Sequence, residues 1–364
     1  MEHRMRFFIL FFVYSTLAWS EFETPYPILT YPNNDIFTGE DQIERTQACI
    51  KDVSASFENI KKQVTPLALW TNDAFDRGSY RQLVKTRFGL DNHIQGIVRV
   101  PGTTNFILSG GDRYVKEANL FTANFASSAG KNLVDKNFEG KDPSDASIKD
   151  GFNSRLNIGT SNYWHAGGLA ILDKTLAVPI ENPKTKTSKI MFYDLTDPNR
   201  PKKLETEVIR SNSMTGTVLF FRNPEGKLVV GGSVNGTMEF FQSKSKDIKD
   251  GFQSGSTTIQ TQATGQGTDM IQQCDGRLFI IDFNNTNSLA PIFYGKNYMR
   301  LFDLDIKTGT SKLISKRVLD TNRSCNFKAA GSHHVTENGK LVIYGSSFYR
   351  HLGGKQFKIC QFSE

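Results

Sequence analysis

From about residue 93 to the end, the chain alternates short apolar runs with turn-forming residues, and the alternation repeats. The stretch Ser161–Leu204 contains one whole unit. Gly168–Leu172 is a short apolar strand, Asp173-Lys174 a turn and Leu176–Ile180 the returning strand; Lys189–Leu195 is a third, closed by Asp197-Pro198 and Pro201. A marker made of an acid or Asn, then Gly, a base, Leu and an apolar run occurs at Glu225–Leu228, Asp275–Leu278 and Asn338–Leu341, with its glycines 50 and 63 residues apart. Physically this is a tight hairpin: Gly takes the positive φ and the run after it is a buried strand. Equivalent hairpins without the marker are Gly96–Val100 with Phe106–Gly110, turned by Pro101-Gly102, and the Gly168–Ile180 pair. A second marker, a strand that ends in Asp and a turn, lies at Ile190–Pro198 and Met299–Gly309.

Five units therefore start near residues 93, 165, 213, 266 and 331, spaced as four-stranded sheets with insertions would be. Four-stranded sheets repeated in this way close into a β-propeller, which leaves only short edges. The expected fold is all-β, a propeller of five or six four-stranded blades with a short N-terminal helical arm. A sixth blade would have to come from Ala126–Gly159, a polar stretch that otherwise reads as a long loop. The last unit is short, so its closing strand is expected from the N-terminal side, at Pro66–Trp70 or Arg81–Thr86.

The region before the repeats has a different pattern. Residues 1–20 combine a charged start, an apolar core from Phe7 to Trp19 and small residues at Ala18 and Ser20, which predicts a secretory signal peptide cleaved near Ser20. The apolar run is shorter than the roughly 20 residues a membrane-spanning helix needs, and no later stretch is long enough, so no transmembrane segment is expected in the mature chain. Residues 21–65 read as an extended, Pro- and Asn-rich arm followed by a helix over Asp41–Val64. Its apolar stripe is Ile43, Ala48, Cys49, Val53, Phe57, Ile60 and Val64. Residues 66–364 form the propeller.

Composition narrows the functional classes. Thirty glycines and 28 phenylalanines fit an all-β chain, and the net charge of +7 is spread among acids rather than massed in a stripe, so nucleic-acid binding is not supported. The four cysteines lack CxxC spacing, which argues against a zinc knuckle; export permits disulfides, and Cys325–Cys360 is the favoured pair because both belong to the last repeat, with buried thiols as the alternative. Asn235-Gly-Thr, Asn284-Asn-Thr and Asn322-Arg-Ser are glycosylation sequons that matter only in a eukaryotic secretory pathway.

Among the six histidines, His93 and His165 share one repeat position with Ser213, just before the first strand of a unit, and His333 and His334 occupy a similar place in the last unit. First strands lie innermost in a propeller, so these imidazoles are expected to converge on its axis, with Asp269 adding an oxygen. His93, His165 and His334 are the candidate ligands of one divalent metal ion, and the same groups serve acid–base chemistry. The structural alternative is that they cap strand ends and hydrogen-bond around the axis. Tyr163 and Trp164 are placed to stack on a ligand there, or to pack in the core. Nucleophile motifs of the GxSxG kind are absent, and the Gly-rich turns at Ser109–Asp112 and Gly231–Ser233 open no helix and are not phosphate loops.

Tyr193-Asp194-Leu195-Thr196-Asp197-Pro198-Asn199-Arg200-Pro201, with Ile190-Met191-Phe192 before it, resembles the LVIVD repeat of exported bacterial propellers. The resemblance spans about a dozen residues and is partial around Asp303, where Asp-Pro gives way to Asp-Ile-Lys-Thr-Gly. It implies a propeller at the cell surface or in the periplasm and carries no catalytic residues. Two functions are compatible with all of this: a secreted or periplasmic binding or scaffolding module for an envelope or extracellular ligand or protein, and a metal-dependent hydrolase or lyase with a histidine-lined central site.

Overall fold

The computed structural model describes residues 48–70, 92–112, 116–125, 151–234, 236–263, 267–286, 296–305, 310–320, 327, 330–346 and 356–364. The chain begins there with one short helix, α1 (Val53–Asn59), and strand β1 (Thr65–Trp70). The first blade is β2 (Asn92–Arg99), β3 (Asn105–Asp112), β4 (Glu117–Asn124) and β5 (Gly151–Asn157). In the second, β6 (His165–Ala166) and β7 (Ala170–Leu172) share the innermost position, followed by β8 (Thr175–Asn182), β9 (Thr187–Asp194) and β10 (Lys202–Arg210). The third is β11 (Thr217–Arg222), β12 (Leu228–Val234), β13 (Thr237–Gln242) and β14 (Thr257–Gln260). The fourth is β15 (Gly267–Gln272), β16 (Leu278–Asn285), β17 (Asn297–Asp305) and β18 (Thr310–Val318). The fifth is β19 (Gly331–Val335), β20 (Leu341–Ser346) and β21 (Gln356–Ser363), completed from outside by β1.

The protein is thus an all-β, five-bladed propeller, and the closing strand is the N-terminal one that the short last repeat requires. Ala126–Gly159 supplies no sixth blade among the described residues: its strand β5 is the outer edge of the first.

The apolar runs are continuous rather than alternating because each middle strand is covered on both faces. In β16, Leu278 and Ile280 pack toward the third blade, while Phe279, Ile281 and Phe283 pack toward the fifth. Each of the five seams between blades holds its own buried apolar cluster. At about 25 cal/mol per Å² of apolar surface removed from water, these seams are the main source of stability.

Near the axis the seams become backbone against backbone. A Cβ on Gly96 would lie 2.7 Å from the carbonyl oxygen of Gly167, one on Gly167 would collide with that of Gly216, and one on Gly267 would lie 3.0 Å from the amide of Gly331. Gly168 and Thr217 form a parallel bridge, and Thr217 Oγ1 donates to Thr268 O at 2.8 Å. One glycine per inner strand therefore defines a level around the axis. The turns obey local chemistry: Gly226, Gly276 and Gly339 take positive φ (77°, 95° and 72°), as the hairpin marker requires, and in the second blade Asp173 takes the same role at 53°.

The N-terminal helix is shorter than the apolar stripe predicts. Residues 41–47 lie outside the described set, and the helix covers only Val53–Asn59. Its start is fixed by Asp52, whose side chain accepts from Ala55 N at 3.0 Å, and by Ile50, whose carbonyl accepts from Cys274 N in a bridge to the fourth blade. Its end is fixed by Lys61, which donates to Ser363 O at 2.9 Å. Of the stripe, Val53, Phe57 and Ile60 fill the seam between the fourth and fifth blades and Val64 packs against it, together with Ile50, which the stripe omits; Ala48 is exposed, and Ile43 lies outside the described residues. Cys49 forms a disulfide with Cys274 in the turn between β15 and β16. Of the expected Cys325–Cys360 pair, Cys325 lies outside the described residues and Cys360 is buried in the same seam. The signal segment is also outside them.

The Asp-turn motif has a structural role. Asp194 Oδ1 accepts from Thr196 Oγ1 at 2.7 Å and Thr196 N at 2.8 Å, and these bonds hold its carboxyl below the usual range. Because the folded-state pKa lies below the unfolded one, this stabilisation is present above the unfolded value and lost as pH falls through the folded one. Asp194→Ala should therefore lower the denaturation midpoint at neutral pH, with the difference from wild type shrinking as pH falls through the carboxylate range. A difference independent of pH would contradict this. Replacing Cys49 and Cys274 together by Ala should cost about 2–5 kcal/mol in denaturant unfolding, since the bridge closes a very long loop.

Candidate functional site

The inner strands run side by side, from an upper face where each begins to a lower face where each ends in a hairpin. Relative to the glycine level, His165 precedes Gly167 by two residues, whereas Asp269 and His333 follow Gly267 and Gly331 by two. The expected single ring of imidazoles is therefore divided. At about 3.3 Å per residue, His165 and the Asp269–His333 pair stand roughly 13 Å apart along the strands, on opposite sides of that level.

Above the level, His165 is held from both sides. Its Nδ1 donates to Glu181 Oε2 at 2.7 Å, and its Nε2 lies 2.6 Å from the side-chain amide of Gln95 in the first blade. This pairing assigns the Nδ1–H tautomer, with Gln95 Nε2 as donor. Three features of the chain make the arrangement possible. A bulge between Ile94 and Gly96 re-aims Gln95 across the seam. Glu181 stands directly opposite His165 on the neighbouring strand. Gly111 has no side chain where the His165 Cα passes, 3.2 Å from where its Cβ would be. Glu181 and Gln95 are nearly inaccessible, at 5% and 4%, while the His165 side chain keeps 24% of its surface. Two buried groups thus fix the orientation of a ring that faces water.

The same row continues across the second blade. His165, Glu181, Ser188 and Arg210 occupy matching positions on β6, β8, β9 and β10. Ser188 Oγ donates to Ser213 O at 2.7 Å; Arg210 binds Met214 O, Thr215 Oγ1 and Glu239 Oε2, and Glu239 in turn accepts from Ser256. Polar contacts therefore tie the first three blades together on the upper face. Trp164 is half-buried beside the site, its ring edge-on to the imidazole at 5.7 Å between centroids. Tyr163 is committed to packing: it lies against the seam of the first and second blades, under Lys189 Nζ at 5.3 Å, with its hydroxyl 3.3 Å from Thr187 Oγ1.

Below the level, His333 Nδ1 donates to Asp269 Oδ2 at 2.6 Å across the seam of the fourth and fifth blades, and Asp269 Oδ1 accepts from Met270 N. His334 points to the other side of its strand, buried against Tyr344 with ring centroids 6.3 Å apart. His93 sits in β2 opposite Gly111; its side chain lies outside the described set. Among the described residues, no three His, Cys, Asp or Glu side chains come together as a metal-binding group.

Gln95 and Glu181 were not legible as site residues. Gln95 depends on a bulge that leaves no sequence signature. Glu181 does carry a signal, a carboxylate ending the apolar run Leu176–Ile180.

No family model and no curated protein matches the chain, so the LVIVD resemblance has no family match behind it. Similar solved structures include a GH62 hydrolase in complex with xylotriose, 10% identical over 90% of this chain and 99% of that one, TM-score 0.39. The catalytic domain of a Coprinopsis cinerea GH62 alpha-L-arabinofuranosidase is 10% identical over 77% of this chain and 93% of that one, TM-score 0.41. A bifunctional GH43-CE protein of Bacteroides eggerthii is 12% identical over 73% of this chain, which spans only 32% of that protein, TM-score 0.39. At this identity and these scores the likenesses carry no argument about activity.

Glu181→Ala should remove the acceptor of the His165 Nδ1 proton. The expected outcome is loss of that slowly exchanging imidazole signal in NMR and a stability cost of about 1–3 kcal/mol.

Proposed function

We propose that the protein is an exported propeller that binds a hydroxyl-rich ligand, such as a saccharide, on its upper face around His165. The observation that carries this reading is the pair of buried side chains, Gln95 and Glu181, that orient one partly exposed imidazole beside Trp164. Stability alone gives no reason to fix an accessible ring in this way. A ligand does, because a preordered contact loses less entropy on binding. Trp164 offers an apolar ring, and His165 and its neighbours offer hydrogen-bonding groups, the mixture by which a site orients a polar ligand.

The two faces of the ring support the choice. The lower one carries the hairpins between first and second strands, the connection from Gln242 to Thr257 in the third blade and, at the fourth and fifth blades, the Cys49–Ile60 segment. The upper one carries the connections between blades, and connecting segments are where binding residues commonly reside. Export rests on the signal-like first 20 residues and agrees with an intramolecular disulfide. Among the described residues no helix is long and apolar enough to cross a membrane. The alternative, a metal-dependent hydrolase or lyase, needs His93, His165 and His334 around one ion; the side chain of His93 lies outside the described residues, while His165 has both ring nitrogens in hydrogen bonds and His334 faces away from His333.

Two measurements test this. On an array of envelope and extracellular oligosaccharides, wild type should bind, and Trp164→Ala or His165→Ala should weaken binding at least about tenfold, roughly 1.4 kcal/mol. Equal binding by both variants, or none by wild type, would refute the assigned site. Metal content by mass spectrometry should not differ between wild type and the His93→Ala/His165→Ala variant. About one equivalent lost in the variant would restore the metal-enzyme reading.

A further inference from the structure

The three sequons differ in what the fold does with them. Asn235 and Asn322 lie outside the described residues, whereas Asn284-Asn285-Thr286 closes β16 on the upper face of the fourth blade. The inner strand of that blade is described from Gly267, opposite Phe283, and among the described residues Asn284 pairs only with Tyr298 on β17. The two asparagines part company there. Asn285 turns inward, its Nδ2 donating to Asn297 Oδ1 at 2.7 Å. Asn284 points to the opposite face, half-buried; its Oδ1 accepts from Asn285 N at 2.9 Å, and its Nδ2 has no hydrogen-bond partner among the described residues. Thr286 is exposed.

We infer that Asn284 is an N-glycosylation site and that the folded propeller carries an oligosaccharide on the upper rim of its fourth blade. The step is a group transfer without redox change. The side-chain amide nitrogen of Asn284 displaces the pyrophosphate of a lipid-linked oligosaccharide at its anomeric carbon: a C–N bond forms, the C–O bond to pyrophosphate breaks, and the amide loses one proton. Transfer requires Asn-x-Ser or Asn-x-Thr, and the fold must then leave the modified nitrogen free of internal hydrogen bonds. At Asn284 no hydrogen bond among the described residues holds that nitrogen, whereas Asn285 commits its own to Asn297 in a part-buried bond. The glycan would stand above the fourth blade, across the ring from His165, and direct ligands to the side of the first three blades. This inference rests on the export reading and on export through a eukaryotic secretory pathway.

The experiment is secretion of the full chain from a eukaryotic cell line, with peptide mass mapping before and after peptide-N-glycosidase F. Expected are a mature N-terminus at Glu21, conversion of Asn284 to Asp by the enzyme, loss of that glycan in Thr286→Ala and its retention in Thr286→Ser. Thr286→Ser also guards against a variant that fails to fold. Protein that begins at Glu21 in the medium with Asn284 unmodified would overturn the glycan while leaving export intact. Protein retained in the cell with residues 1–20 still attached would overturn both, and the N-terminal peptide tells the two failures apart.

Discussion

The structure depends on how closely five inner strands can approach one axis. Around the glycine level the backbones of the first and second, second and third, and fourth and fifth blades touch with no side chain between them, the Thr217 hydroxyl bridges the third to the fourth, and any Cβ at Gly167 would strike the carbonyl of Gly216. That approach sets the tilt of each blade and hence the faces that meet in the seams. Each sheet is then covered twice, so its middle strands can be apolar on both sides, and the five seam clusters follow. Packing of this density tolerates little change in volume.

Closure of the ring is a separate problem, solved at one place. The fifth blade has three strands from the C-terminal end of the chain and takes its fourth, β1, from the N-terminal end. The segment just before β1 crosses the seam to the fourth blade, where Cys49 is bonded to Cys274 and Val53, Phe57 and Ile60 are buried. Arg317 on β18 donates to the carbonyls of Phe57 and Glu58, and Lys62 O accepts from Asp320 N at 3.0 Å. A hydrogen-bonded strand, an apolar contact and a covalent bond thus act on the same junction, the one where the two ends of the chain meet.

The glycine level also decides what the histidines can do. Shared sequence position would put them in one ring, yet residues before and after the level face different ends of the axis. His165 belongs to the upper face with Gln95 and Glu181; His333 belongs to the lower side with Asp269. Each imidazole is paired with a carboxylate, which fixes its tautomer and direction. Among the described residues, single rings are oriented along this axis and no three ligating side chains converge.

The sequence by itself determined the repeat, the start of all five blades, the hairpin glycines and the need for an N-terminal closing strand. These rest on local signals: positive φ at Gly226, Gly276 and Gly339, apolar runs long enough to be covered on both faces, and a last unit too short to finish itself. It also marked Val53, Phe57 and Ile60 as buried, though not Ile50, and not that the helix stops at Asn59, because the disulfide and the bridge of Ile50 to Gln273 act from more than 200 residues away. The site was legible as a set of histidines but not as a geometry. Whether His165 meets His333 or Glu181 depends on strand register, on a bulge at Gln95 and on where the glycine level falls. Those are relations between strands of different blades, and only the closed ring brings them together.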